Sequence, residues 1–349
     1  MAHFTDATPG RIVLLNGKAY RYFGGTSYLG LQSNPEFKEM LAENVRKYGS
    51  SHGASRLSNL RLEVYARAEE YMAEWCGSPA ALLMSSGFLA GQMLAQFFEG
   101  NGYQAFYAPH AHAALFRGGH LPYNSYPALA EAIAKHLDSH SGRPPVLFMD
   151  STDLSGKGYP GFSGLKHLPL RELILVADDS HGLGILGEDG GGAYRKLLGL
   201  TPKELLVCGS LGKAMGLQAG LILCSRERRA DLWETPFFAG ASPPSPAHMA
   251  TLLQARPLYM RQWQRLTKNI MTFESAWQNR KGFTYTCGYP VYAFKNPSLT
   301  RKLEAGGVMV TDFPYPSTGA DSLPGRIILS AHHDHDDIAL LAALLNEPA

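Results

Sequence analysis

The stretch Val207-Cys208-Gly209-Ser210-Leu211-Gly212-Lys213-Ala214-Met215-Gly216 constrains this chain more than any other. The apolar run 205–208 reads as a short buried strand, and it ends in small residues that deliver one lysine flanked by glycines. A lysine held close to backbone in apolar surroundings is disfavoured in its charged form. It is left as a nucleophilic amine, the form that Schiff-base chemistry uses. A glycine-rich turn carrying a solvated lysine would look the same, so this stretch alone does not decide the chemistry.

A second stretch lies upstream. Residues 172–177 (ELILVA) read as another buried strand, ending in Asp178-Asp179-Ser180-His181-Gly182. Acidic residues and a histidine at the carboxyl end of a parallel strand stand where open α/β sheets place ligands. Residues 81–90 pass from an apolar run through Ser85-Ser86-Gly87-Phe88 into a helix. The free N–H groups and positive dipole end of such a helix suit an anion. Pyridoxal phosphate asks three things of a protein: a lysine for its aldehyde, a carboxylate for its ring nitrogen and a cradle for its phosphate. All three occur, in the order cradle, carboxylate, lysine.

Composition narrows the alternatives. A chain of 349 residues with 45% hydrophobic and 18% charged residues has the makings of a globular protein with an ample core. A formal charge of +2 gives no reason to expect nucleic acid or a membrane surface as partner. No apolar run approaches the roughly 20 residues of a membrane span. Cys76, Cys208, Cys224 and Cys287 lack the spacing of a metal site or a disulfide framework. With no apolar signal core at the start, these thiols point to a reducing, cytoplasmic setting.

Taken together, the motifs resemble the α-oxoamine synthase branch of the fold-type I pyridoxal-phosphate enzymes, from about residue 28 to residue 345. Thr26-Ser27-Tyr28-Leu29-Gly30-Leu31 is similar to the family's Asn-x-Tyr-Leu-Gly-Leu, with Thr26 in place of Asn. Residues 48–56, ending in Ser55-Arg56, resemble the Tyr-Gly-x-Gly-x-Gly-Ser-Arg loop; Leu60 and Tyr65 replace the usual Gly and His. His112-Ala113-Ala114 matches the family's His-Ala-Ser better than His110 does. Gly325 to His333 resembles the strand Arg-x-Arg-x-x-x-Ser-Ala-x-His, with Arg326 on the second arginine and Pro324 where the first would be. Residues 237–244 are similar to Phe-Ser-Thr-x-x-Pro-Pro, with Gly240 at the Thr position and Ser242 as the substitute hydroxyl.

The resemblance implies an α/β fold of type I: a mostly parallel, doubly wound sheet in a large domain, plus a small α+β C-terminal domain. The boundaries expected are an N-terminal hairpin and opening segment over 1–35, a large cofactor-binding domain over 36–245, and an interdomain helix with the small domain over 246–349. It implies that Lys213 carries the cofactor and moves the substrate's α-proton, with Asp178 at the ring nitrogen, His181 at the ring oxygen and His112 stacked on the ring. Ser86, Gly87, Phe88 and Ser210 are expected at the cofactor, Ser155 at its ring hydroxyl, and Ser242 at the phosphate of a neighbouring subunit. Arg326 and Arg56 are expected to bind substrate, with no metal.

The implied reaction condenses an amino acid with an acyl-CoA to a 2-amino ketone, in a cytoplasmic homodimer with sites at the interface. An aminotransferase on the same scaffold, or a cofactor-binding protein without turnover, would carry the same core motifs. Two tempting readings fail on local chemistry. Residues 182–192 are glycine-rich but do not open a helix directly after a first strand, as a dinucleotide fingerprint does. The cluster His332 to Asp337 reads as a helix start, with Asp334 as N-cap and Asp337 three residues on.

Overall fold

The computed structural model describes residues 3–117, 121–139, 142–153, 156–313 and 324–347. Its strands, in chain order, are β1 (Ile12–Leu15), β2 (Lys18–Phe23), β3 (Ala80–Met84), β4 (Ala105–Tyr107), β5 (Val146–Asp150) and β6 (Ile174–Asp178). There follow β7 (Glu204–Ser210), β8 (Gly220–Cys224), β9 (Phe283–Tyr285), β10 (Val291–Phe294), β11 (Val308–Asp312) and β12 (Gly325–Ile328).

The larger sheet has the order β3-β8-β7-β6-β5-β4. Strands β4 to β7 are parallel, whereas β8 runs antiparallel to both β7 and β3. Its strands read as unbroken apolar runs because both faces are covered. The pleat sends alternate residues to opposite sides. Leu147, Met149, Leu175, Ala177, Leu205 and Val207 enter one core with Met72 and Met249, from the helices Glu63–Cys76 and Pro246–Gln254. Val146, Phe148, Ile174, Val176, Leu206 and Cys208 enter the other, with Met93, Leu94 and Phe98 of the helix Gly87–Gly100. This is the doubly wound, mostly parallel sheet that the sequence led us to expect. Register pairs Asp150 with Asp178 and Asp178 with Cys208, so the carboxyl ends of β5, β6 and β7 emerge at one level.

The smaller sheet has the order β1-β2-β11-β12-β10-β9. The N-terminal hairpin joins it through parallel pairing of β2 with β11. Asn16 and Gly17 take φ of 50° and 77°, the positive values that a tight two-residue hairpin turn requires. The C-terminal helix His335–Asn346 opens on a capping box between Asp334 and Asp337. The acidic cluster there is thus a helix start, and among the described residues no group of three or more His, Cys, Asp or Glu side chains is placed to hold a metal. The interdomain helix expected from residue 246 is two helices, Pro246–Gln254 and Arg256–Ala276. Pro257 has no N–H to continue the first helix and instead occupies the first turn of the second.

Candidate active site

Lys213 lies on the turn beyond β7. That turn is closed by the Leu211 N–H to Ala219 O and the Leu217 N–H to Leu211 O, both at 2.9 Å. The Gln32 side-chain amide donates to the carbonyls of Gly212 (3.1 Å) and Lys213 (2.9 Å), which pins the backbone on which the lysine stands. Lys213 Nζ is 2.9 Å from His181 Nε2, and His181 Nδ1 is 3.0 Å from the Tyr28 hydroxyl. Tyr289 completes the group by donating its hydroxyl to the His181 carbonyl at 3.0 Å. Burial lowers the Lys213 amine below its ordinary range, and the charges of Asp178, Asp150 and Asp179 only partly restore it. His181 is held well below its usual value, first by burial and then by the positive charges of Lys213, His112 and Arg326. The pair is therefore biased toward a neutral amine beside a neutral imidazole.

Two adjacent aspartates end and follow β6, and they face different surroundings. Asp178 accepts the Ser180 N–H at 2.8 Å, and Ser180 Oγ in turn accepts the Ser210 N–H at 2.9 Å, tying the ends of β6 and β7 together. Asp179 is fully buried, bonded by the Ser151 hydroxyl and by the Ala193 N–H at 2.7 Å. Burial pushes its carboxyl up to about 7. A Cβ at Gly182 or Gly192 would stand 2.1 or 2.2 Å from an Asp179 oxygen. The glycines of the 182–192 loop therefore pack against a structural carboxylate.

His112 caps a short turn. Its N–H donates to Asp150 Oδ1 at 3.1 Å, and its Nδ1 accepts the Ala114 N–H at 3.1 Å. Burial lowers its pKa, Asp178 opposes this and Lys213 adds to it, which places the ring among these charges. His110 is exposed in a left-handed turn conformation (φ 65°). Of the two, His112 is the one that lies among the charges of Asp178 and Lys213.

The segment expected to cradle a phosphate offers backbone groups. Ser86 caps the helix Gly87–Gly100, its hydroxyl accepting the Leu89 N–H at 3.1 Å. The N–H groups of Gly87 and Phe88 begin that helix and so have no acceptor within it. A Cβ on Gly87 would stand 2.7 Å from the Ser210 backbone, so the helix start is pressed against the strand end that delivers Lys213. Phe88 is 55% exposed, so what this segment offers an anion is its N–H groups.

Arg326, on β12, is buried and comes from the other sheet. One guanidinium nitrogen donates to Phe313 O at 3.2 Å, and the Phe313 ring lies 4.9 Å below the charge. Its field reaches Tyr28 and His181, so it joins the Lys213 group. Arg56 and Ser242 are placed differently. Arg56 is a buried partner of Glu69 at 2.9 Å, its guanidinium stacked 4.4 Å from the Tyr65 ring. Glu69 also binds Arg229 (2.9 Å) and the Leu83 N–H (3.1 Å), so this is a structural knot under β3. Ser242 is exposed on the connection after the helix Pro236–Gly240. Ser155 lies outside the described residues.

A depressed lysine, a buried carboxylate, an imidazole beside each, and free helix-start N–H groups fit a phosphate-bearing aldehyde with a basic ring nitrogen. The comparisons agree. Residues 165–345 match the family Aminotransferase class I and II. The 8-amino-7-oxononanoate synthase of Aliivibrio fischeri (strain ATCC 700601 / ES114) is 30% identical, over 96% of this chain and 90% of that protein. The chain belongs to the α-oxoamine synthase branch of this family. The enzyme of the same name from Burkholderia pseudomallei (strain 1710b) is 29% identical over 98% of this chain and 92% of its own length.

Among solved structures, a serine palmitoyltransferase from S. paucimobilis with a bound PLP–myriocin aldimine superposes with a TM-score of 0.82 at 17% identity. It covers 99% of this chain and 91% of that one. The 8-amino-7-oxononanoate synthase of Francisella tularensis gives 0.69 at 20% identity, over 93% of this chain and 96% of its own. These two likenesses carry the fold. Fold type I is thus observed, and pyridoxal phosphate is the cofactor of this acyltransferase family member. Three residues carry contacts that motif matching did not assign. Tyr28 stood inside a matched motif without a role, and neither Asp150 nor Tyr289 was given one.

Proposed function

We propose that the protein condenses an amino acid with an acyl-CoA, releasing free CoA and a 2-amino ketone, with Lys213, Asp178, His181, His112 and Arg326 in the working roles. The observation that carries this reading is the convergence of Lys213, His181 and Tyr28 within hydrogen-bond reach, under the field of an arginine from the other sheet. Its class is supported by relatives named 8-amino-7-oxononanoate synthase over nearly the whole chain.

Lys213 would hold the cofactor's aldehyde carbon, with Gly87 and Phe88 N–H groups and the Ser86 cap at its phosphate and Ser210 beside them. When bound, pyridoxal phosphate supplies a conjugated ring that stores the electron pair left as the Cα–H bond breaks. Asp178 keeps the proton on the ring nitrogen by charge pairing. His181 directs Nε2 at the ring oxygen, while Tyr28 on Nδ1 fixes the plane of the imidazole. His112 covers one ring face. Lys213, whose charged form burial disfavours, would take the α-proton of the amino acid. Arg326 forks onto the substrate carboxylate, the geometry guanidinium groups favour.

We infer a homodimer with sites near its interface. Exposed Phe88 at the cradle and exposed Leu60 and Ser242 support an adjoining second copy. Among the described residues no helix is long and apolar enough to cross a membrane, and all four cysteines are free, which supports a cytoplasmic setting.

The test is thiol release. Purified protein loaded with pyridoxal phosphate is given amino acids singly, then short and long acyl-CoAs, with free thiol followed by a colorimetric reagent. Condensation requires thiol release that depends on both substrates. If no acyl-CoA releases thiol while a keto acid turns the cofactor over, the protein is an aminotransferase.

A further inference from the structure

Asp150 has no role in the scheme above, yet it stands among the residues that do. It ends β5, and its partner across the ladder is Asp178. Its Oδ1 accepts the His112 N–H at 3.1 Å. The groups that face it are Asp178 on β6, Cys208 on β7, Lys213 beyond β7, His112 beyond β4, Tyr126 at the start of the helix Tyr126–Ser139, and Asp153 on the following loop. Two carboxylates on neighbouring strands of a buried site do not both ionise easily. Asp178 accepts the Ser180 N–H at 2.8 Å, the shorter of the two backbone bonds.

We propose that Asp150 serves this site as a neutral carboxylic acid, a positioning residue that anchors the His112 backbone and leaves Asp178 as the single negative charge facing the ring nitrogen. Its surroundings favour that form: burial first, then Asp178 and Asp153, outweigh the His112 N–H and the Lys213 charge, and hold the carboxyl well above its ordinary range. The inference rests on assigning the pocket to pyridoxal phosphate.

An amide mimics a neutral acid, so Asp150→Asn retains an acceptor for His112 and never carries charge. The first arm uses protein without cofactor. A carboxyl raised on folding keeps its proton in the native state after the unfolded chain has released it. Its cost to stability therefore grows as pH rises above the ordinary carboxylate value of about 4. In urea unfolding from about pH 5 to pH 8, the stability of Asp150→Asn relative to wild type should climb with pH. A flat difference, or a falling one, would show a charged Asp150 and overturn the proposal.

The second arm titrates pyridoxal phosphate by absorbance. Asp150→Asn should bind with wild-type affinity, and Asp150→Ala about tenfold more weakly, because the His112 N–H loses its acceptor. Equal affinity for Ala and wild type would remove the positioning role. Failure of the wild type to bind would instead overturn the cofactor assignment, while the unfolding arm still decides the charge.

Discussion

Asp178 and Asp179 are neighbours in sequence with different surroundings, because an extended chain turns successive side chains to opposite sides. Asp178 faces Lys213 and His112; Asp179 is sealed under the glycine loop by Ser151 and Ala193. On the proposed assignment, Asp178→Asn takes away the carboxylate that would face the ring nitrogen. The variant should still bind pyridoxal phosphate but lose exchange of the substrate α-proton by orders of magnitude, measured by deuterium wash-in. Asp179→Asn should instead turn an amide NH2 toward a donor and lose about 1–3 kcal/mol of stability in urea unfolding, with much milder loss of exchange. Equal losses of exchange in the two variants would mean that the residues are assigned in the wrong order. The strand ends near Asp178 and Lys213 were legible from sequence because the apolar runs before them are too short for a helix and rich enough for a buried strand. Tyr289 was not: its hydroxyl reaches His181 from 108 residues away, and no spacing rule spans that distance. The weight of Asp150 was hidden for a related reason, since only strand register shows that it faces Asp178.

At the scale of elements, the C-terminal helix shows what local pattern can and cannot reveal. Its start was readable from Asp334 and Asp337, but its attachment was not. Asp337 also receives Arg11 Nε at 2.6 Å and Arg21 Nε at 2.8 Å, both from the N-terminal hairpin more than 300 residues earlier. Burial alone would raise the Asp337 carboxyl, yet the Arg11 bond, the Asp334 N–H and nearby positive charge bring it below its ordinary range. A carboxyl depressed on folding contributes stability above its unfolded value, and that stability is lost as pH falls through the folded value. Asp337→Asn should therefore cost about 1–3 kcal/mol at neutral pH. Below the ordinary carboxylate range of about pH 4, wild type and variant should converge in urea unfolding. A gap that stays constant into acid would assign the cost to packing. The same limit of local reading explains the helix anticipated through 255: the apolar pattern continues across the break, and only the backbone chemistry of Pro257 divides it.

The residues proposed for the chemistry come from two sheets, and this gives substrate binding a distinct expected signature. The larger sheet supplies Lys213, Asp178, His181 and the cradle. The smaller one supplies Arg326 from β12, and Tyr289 approaches from just before β10. Cofactor binding should thus depend on the larger sheet, whereas recognition of an amino acid's carboxylate should need both. Arg326 is buried and steadied by the Phe313 carbonyl at 3.2 Å and the Phe313 ring, so its guanidinium is oriented before a ligand arrives. Arg326→Lys keeps the charge but loses the planar fork and the stacked orientation. Amino-acid affinity, read from the absorbance of the bound cofactor, should fall by roughly 1.5–3 kcal/mol, the range for hydrogen bonds to charged groups. Affinity for pyridoxal phosphate itself should not change. Normal amino-acid binding in the variant would place the carboxylate elsewhere. A parallel loss of cofactor would show that Arg326 holds the architecture between the sheets and does not bind substrate. Only the split result, cofactor retained and amino acid weakened, fits a site completed across the two sheets.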